Sequence, residues 1–179
     1  MNVDLLIIGA GPAGLTAAQY GARANLKVLV IEQLSPGGQA LLIDVLENYP
    51  GNVERKDIDG KIIAGPRTGF EFAQDMHHQA EAFGASFLSE TVNELKKEDG
   101  LFTAVLANGE MQTAFAVIIA TGAIPRNLDI PGEQKFKGRG VSYCASCDGA
   151  FSKVKKFLWL AAEMLPAMTP NTFPALVHR

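Results

Sequence analysis

Cysteine is almost missing from this chain: among 179 residues there are only Cys144 and Cys147. That scarcity excludes a small secreted fold held by a disulfide framework. A structural zinc site is disfavoured too, since four ligands are usual and there is no second cysteine pair. His77 and His78 are adjacent, and on a helix they would point about 100° apart, so they read as exposed polar residues rather than as ligands of one ion. His178 is remote in sequence from all of these. No metal is expected. Charge of one sign is equally scarce, with 16 basic and 19 acidic side chains interspersed for a net −3. Without a basic stripe there is little to displace counterions from a phosphate backbone, and nucleic acid is not an expected partner. Long apolar runs are lacking as well. The opening "VDLLIIGAGPAG" is soon broken by glycine and proline and has no basic start, so it resembles neither a signal peptide nor a membrane span. A cytoplasmic protein is expected, with no membrane association. Finally, no glycine follows Gly149.

What is present is a globular composition, 47% hydrophobic and 20% charged. Asp4 to Ile8 is an apolar run without alternation, as in a strand buried on both faces of a parallel sheet. "GAGPAG" at Gly9 to Gly14 follows, and an apolar helical stripe continues through Leu15, Ala18 and Ala22. In this strand–turn–helix order Gly9 takes the tight turn, Gly11 lets backbone approach a pyrophosphate, and Gly14 lets the helix pack closely. The first N–H groups of the helix face the anion. A second strand, Lys27 to Ile31, delivers Glu32, where a carboxylate can accept hydrogen bonds from ribose hydroxyls. The order of these parts indicates dinucleotide binding without saying which dinucleotide. In "LSPGGQA", Gly37 and Gly38 could bring backbone close to a flat ligand whose edge Gln39 would bond; an ordinary surface loop is the alternative.

Farther along, "NVERKDIDGKIIAGPRT" reads as a solvated loop. Phe70 to Phe83 places Phe72, Met76, Gln79, Ala80 and Phe83 on one helical face. Phe87 to Leu95, Phe102 to Ala107 and Met111 to Ile119 read as strands joined by turns at "EDG" and "NG".

Six motifs in order, "GAGPAG", "IEQ", "PGGQ", "ENYPG", "IIATGA" and "CASCDG", resemble the low-molecular-weight thioredoxin reductases, within the pyridine nucleotide-disulfide oxidoreductases, from Asn2 to about Lys156. The resemblance implies an α/β fold: a Rossmann-like FAD-binding domain, with a parallel sheet plus an antiparallel β-meander, followed by the start of a second nucleotide-binding domain. Residues 1–122 would be the first segment of the FAD domain and 123–179 the beginning of the NADPH domain. It implies FAD at Gly9, Ala10, Gly11, Pro12, Ala13 and Gly14, at Glu32 and Gln33, at Gly37, Gly38, Gln39 and Asn48 near the flavin, at Val92 by the adenine, and at Ala120, Thr121 and Gly122. NADPH would be the electron source, thioredoxin or a thioredoxin-like disulfide protein the partner, and a homodimer the family's assembly.

The cysteines take their meaning from this context. Two thiols separated by two residues can close a small disulfide, and adjacent Asp148 suits the proton transfer that disulfide reduction requires. The resemblance places Cys147 against the flavin, gives Cys144 the attack on the partner's disulfide, and makes Asp148 the acid/base. Beyond Lys156 the family pattern is lost. "FLWLAAEMLPAMTPNTFPALVHR" offers no second glycine turn for NADPH, and Pro166, Pro170 and Pro174 interrupt any long helix. A C-terminally truncated reductase is expected. The tail reads either as a local frame change, since "LVHR" resembles the family's strand end after the NADPH-binding helix, or as a divergent sequence. A non-catalytic, weakly FAD-binding fragment is the alternative to a working enzyme.

Overall fold

The computed structural model describes residues 2–124, 126–127, 129–137 and 139–143. These fall into two units, one running to Ala123 and one beginning at Ile124. Cys144, Cys147, Asp148 and the whole tail lie outside the described residues.

The first unit is built on strand β1 (Val3–Ile8), helix α1 (Pro12–Arg23) and strand β2 (Val28–Glu32). β1 and β2 pair in parallel, Leu5 opposite Val28 and Ile8 opposite Ile31. A 3₁₀ turn follows at Gly38–Leu42. Helix α2 (Gly69–Ala82) opens with a capping box in which Thr68 Oγ1 accepts from the Glu71 amide at 3.1 Å and Glu71 Oε2 accepts from the Thr68 amide at 2.8 Å. Its start is tied to the 3₁₀ turn, because the Gly69 amide donates to the Ile43 carbonyl at 2.8 Å. A Cβ at Gly69 would stand 1.9 Å from the Ala40 carbonyl oxygen, so only glycine allows this approach.

Strand β5 (Ser86–Ser89) then joins β2 in parallel. The single strand expected over Phe87 to Leu95 is in fact two, broken at Glu90–Thr91. The second piece, β6 (Val92–Glu98), starts the meander with β7 (Leu101–Leu106) and β8 (Met111–Ile119). The sheet order is β5-β2-β1-β8-β7-β6. β5 and β6 therefore sit at opposite edges of one ladder although two residues separate them, which requires the sheet to fold back over itself. β8 makes that possible by serving both halves. Met111 to Ala114 pair antiparallel with β7, while Ala114 to Ile119 pair in parallel with β1.

Two cores result. On the helix side Leu5, Ile7, Val28 and Val30 meet Leu15, Ala18 and Ala22 of α1 and Ala80 of α2. Between the parallel strands and the meander lie Leu6, Ile31, Ala104, Leu106 and Ala114. Completely burying an aliphatic side chain such as Leu6 or Ile7, each 0% exposed, contributes about 1.5–3 kcal/mol.

The charged stretch after Gly51 is solvated but not an unstructured loop. It forms a small antiparallel hairpin, β3 (Arg55–Lys56) with β4 (Ile62–Ala64). Asp57 shapes its turn, Oδ1 accepting from the Asp59 and Lys61 amides at 3.0 and 2.9 Å. Asn52, only 3% exposed, closes the base of the insert: its amide donates to the Leu46 and Arg67 carbonyls, and its oxygen accepts from the Arg67 amide at 2.9 Å. His77 also departs from expectation. It is partly covered, with its ring edge-on to Phe87 at 4.3 Å, because α2 lays this turn over β5. His78 is exposed.

Candidate functional site: the cradle at the strand ends

β1, β2 and β8 all run the same way, and their C-terminal ends bring together the turn beginning at Gly9, Glu32, and Ala120 with Thr121. Gly9 continues the β1–β2 ladder, its amide donating to the Ile31 carbonyl at 2.8 Å. It then turns with φ +101°, where a Cβ would lie 2.4 Å from the Ala120 carbonyl oxygen. Ala120 stays in the parallel register, donating its amide to the Ile8 carbonyl at 2.8 Å. Gly9, Ala10, Ala120 and Thr121 thus form one edge of the cradle.

The three glycines of the turn have separable roles. Gly14 is the packing glycine: a Cβ there would sit 1.9 Å from the Gly9 carbonyl oxygen and 3.4 Å from Ile7 Cγ2. Gly11 is different. Its backbone is ordinary, φ −70° and ψ −179°, and a Cβ would meet nothing within 4 Å. No packing or conformational demand of the chain therefore explains a glycine at 11, and the space its missing side chain would fill is open. Pro12 begins α1, which has no side-chain cap and no acidic residue in its first turn. Its positive end and first amides are left for an external anion. Ala13 follows in that same turn. An open approach beside a helix start, held by residues that tolerate no larger side chain, fits a dinucleotide pyrophosphate.

Glu32, expected from sequence to accept from a ribose, braces the turn. Its Oε2 accepts from the Ala10 amide at 2.7 Å and its Oε1 from the Leu34 amide at 3.0 Å. Each carboxylate oxygen keeps a further lone pair for a ligand hydroxyl. This brace was not anticipated from sequence, although the order strand–turn–helix–strand–acid is its signal. Gln33, beside it, is exposed.

The "PGGQ" segment closes the other side. The Gly37 amide donates to the Ala10 carbonyl at 2.7 Å, and a Cβ on Gly38 would come 3.1 Å from Gly11 Cα. Gly37 and Gly38 adopt φ of +128° and +54°. Gln39 directs its amide donor to the Ala123 carbonyl, leaving its oxygen as the group able to bond a ligand. Gly122, φ +70°, is exposed with open space around it.

Two expected residues join less directly. Val92 is half-buried, its side chain packed against the core under the meander. It nevertheless lies near the cradle, because the Glu90 amide donates to the Glu32 carbonyl at 3.1 Å. Asn48 is exposed, and no described contact ties it to the glycine turn. A separate cavity of about 360 Å³ opens between α1 and α2, lined by Gln19, Tyr49, Arg67, Phe72, Met76 and neighbours; none of the cradle residues lines it. Among the described residues no cluster of potential metal ligands occurs, and no helix is long and apolar enough to cross a membrane.

Comparisons with known proteins agree with this geometry. The chain is 53% identical over 154 residues to a thioredoxin reductase of Treponema pallidum, covering 86% of this chain and 46% of that one. It is 44% identical over 156 residues to a thioredoxin reductase of Bacillus subtilis, covering 87% and 45%. The chain therefore spans about half the length of the curated relatives it matches. Among solved structures, thioredoxin reductase from Lactococcus lactis superposes with a TM-score of 0.65 at 38% identity, over 83% of this chain and 45% of that chain. The Streptococcus pyogenes enzyme gives 0.63 at 43% identity, over 84% and 45%. The mixed α/β sheet with Rossmann-like strand order is thus shared with thioredoxin reductases. Residues 3–163 match the pyridine nucleotide-disulphide oxidoreductase family, and the chain belongs to it.

Proposed function

We propose that this chain is the flavin-binding and dithiol-bearing part of a thioredoxin-disulfide reductase, in which electrons pass from NADPH through FAD to Cys144 and Cys147 and on to a thioredoxin-like disulfide. The observation that carries the reading is Gly11, a glycine that the fold itself does not require, opening onto space beside the start of α1. Identity above 50% to a reductase over most of the chain supports it.

Bound FAD would supply a two-electron carrier between a nicotinamide and a disulfide. The chain's own residues hold and orient it. Gly9, Ala10, Gly11, Pro12, Ala13 and Gly14 would receive the pyrophosphate at the helix start, while Glu32 would accept from the adenosine ribose with its geometry already set by Ala10 and Leu34. Gly37, Gly38, Gln39 and Asn48 would border the flavin, and Ala120, Thr121 and Gly122 would close the cradle, with Gln33 and the Val92 backbone toward the adenosine end. Cys147 would exchange electrons with the cofactor, Cys144 would attack the partner's disulfide, and Asp148 would move the accompanying protons. Residues 123–179 would begin the NADPH domain, in a cytoplasmic, homodimeric protein.

The test is the visible spectrum of purified chain after incubation with FAD and removal of the excess. One flavin retained per chain is the expected result; a colourless, folded protein would overturn the proposal. Flavin retention is expected without reduction of a disulfide substrate by NADPH, because the sequence after Gly149 has no glycine to bring backbone onto a second pyrophosphate.

A further inference from the structure

The charged hairpin after Gly51 presents apolar side chains that the rest of the fold leaves uncovered. Ile58, at its tip, is fully exposed at 101%, and Val53 and Ile62 are exposed below it. A lone exposed isoleucine on an irregular loop would need no explanation. This one stands on a built turn, in which the Asp57 amide donates to the Lys61 carbonyl at 2.9 Å, the Gly60 amide donates to the Asp57 carbonyl at 3.0 Å, and Gly60 takes φ +81°. The base is fixed by buried Asn52. The tip is therefore presented in advance, with little freedom left to lose on docking.

Beside that base lies the cavity between α1 and α2, and Arg67 belongs to both. Its Nε donates to Asn52 Oδ1 at 3.1 Å, and its guanidinium lines the cavity 5.9 Å from the centre of the Phe72 ring. Buried Phe72 and half-buried Met76 supply an apolar lining, with Tyr49 tilted against Phe72 at 4.6 Å and Tyr20 exposed at the opening. Aromatic, methionine and arginine side chains around an open recess are the composition of the centre of a protein interface. Charge complements the hairpin tip. Asp57 and Asp59 flank Ile58 and form no ion pair among the described residues. Arg23 stacks over Tyr20 at 5.6 Å and also has no carboxylate partner among the described residues, whereas Arg67 is paired with Asp75. Because Ile58 is open to solvent, the tip does not fill the cavity of its own chain.

We propose that this hairpin is an exchange arm between two copies of the chain: Ile58 of each copy seats in the α1–α2 cavity of the other, with Asp57 and Asp59 against Arg23 at the rim. The inference rests on the reading of the protein as a homodimer and names a surface that makes it. The six residues after Asn52 carry the tip at most about 20 Å from its base. Since the base adjoins the cavity through Arg67, a two-fold axis beside them lets both arms dock at once. Such a contact is its own complement and closes at two copies. An aliphatic anchor filling an aromatic-lined recess supplies the affinity, and the charges at the rim set its orientation.

The experiment is sedimentation equilibrium of the full chain over a range of concentrations, with circular dichroism to establish that each variant is folded. The parent is expected to behave as a monomer–dimer system. Ile58→Asp should raise the dimer dissociation constant by about a hundredfold or more, because two buried aliphatic contacts are lost per dimer. Arg23→Glu should weaken the dimer by about tenfold, since it sets like charges together at the rim. Adding Asp59→Lys to Arg23→Glu should restore most of that loss, a coupling that a change in monomer stability does not produce. A dimer indifferent to Ile58→Asp, or an Arg23→Glu variant that Asp59→Lys does not rescue, overturns the arm and leaves the homodimer reading standing. A parent that stays monomeric removes the homodimer reading itself, and the arm with it. Association that continues past two copies reveals a contact that does not close, and overturns the two-fold exchange.

Discussion

Gly11 and Gly14 lie three residues apart in one motif, yet the structure predicts opposite consequences for the same substitution. At Gly14 an added Cβ stands 1.9 Å from the Gly9 carbonyl oxygen, more than 1 Å inside ordinary contact. Either α1 moves away from the turn or the turn opens, an overpacking that costs about 1–3 kcal/mol. For a chain of this size that lowers the melting temperature by roughly 2–12 °C. At Gly11 the backbone suits any L-residue and the new Cβ touches nothing. Loss of glycine's unfolded-state freedom contributes about 0.4–1 kcal/mol in favour of Gly11→Ala, and the poorer helix start opposes it by a similar amount. Stability should therefore change by less than about 1 kcal/mol. Binding should not survive. A branched side chain at 11 projects into the space proposed for the pyrophosphate, and forfeiting two charge-assisted hydrogen bonds of about 1.5–3 kcal/mol each weakens binding by about a hundredfold or more. The assay pairs FAD fluorescence titration with thermal unfolding followed by circular dichroism, on Gly11→Val and Gly14→Ala. If Gly11→Val binds FAD with the parent's affinity, the assignment of the turn is wrong. If it loses as much stability as Gly14→Ala, the packing argument is wrong.

Thr68→Ala removes the acceptor of the α2 capping box and should cost about 1 kcal/mol, seen as a lower urea midpoint without a change of slope. The phenol of Tyr143, raised by its hydrogen bond to Glu133, contributes stability that is complete below pH 10, the ordinary tyrosine value, and is lost as pH rises through about 12; the unfolding midpoint should fall across that window in the parent and lose that component in Tyr143→Phe. Cys147→Ser should retain flavin while abolishing disulfide formation, and thiol counting with an absorption spectrum checks both in one sample. NADPH-dependent turnover of thioredoxin by this chain with FAD added should be undetectable, because residues 150–179 contain no glycine with which to bring backbone onto a second pyrophosphate. Sustained NADPH consumption coupled to thiol release would refute that reading.

Much of the cradle was legible because its spacing is a matter of matching lengths. α1 has 12 residues, about 18 Å, and must carry the chain back along β1 so that β2 can start level with it. β2 with its five residues then advances about 17 Å and ends beside Gly9. Ile8 opposite Ile31 is the register that results, and it sets Glu32 next to Ala10 whatever the intervening helix residues are. Any sequence with an apolar strand, a glycine turn, a helix of this length and a second strand ending in an acid must bring those groups together. The acid's second task, bracing the turn through the Ala10 amide, follows from the same register.

The parts that were not legible depend on contacts rather than lengths. The apolar run from Phe87 to Leu95 carries no sign that its middle leaves one edge of a sheet and begins the other. The break at Glu90–Thr91 is forced by β8, whose first half belongs to the meander and whose second half belongs to the parallel strands. Asn52 looked like one polar residue in a solvated stretch, yet its four hydrogen bonds to Leu46 and Arg67 close the insert at its base. Glu133 and Tyr143 are the strongest case. Neither has a periodic pattern around it, and their meeting requires left-handed glycines at 132 and 140 together with the return of two amides to the Phe136 carbonyl. A buried carboxylate is tolerated only where donors surround it, and those around Glu133 include a backbone amide and a phenol ten residues away. Removing the phenol leaves that buried carboxylate one donor fewer.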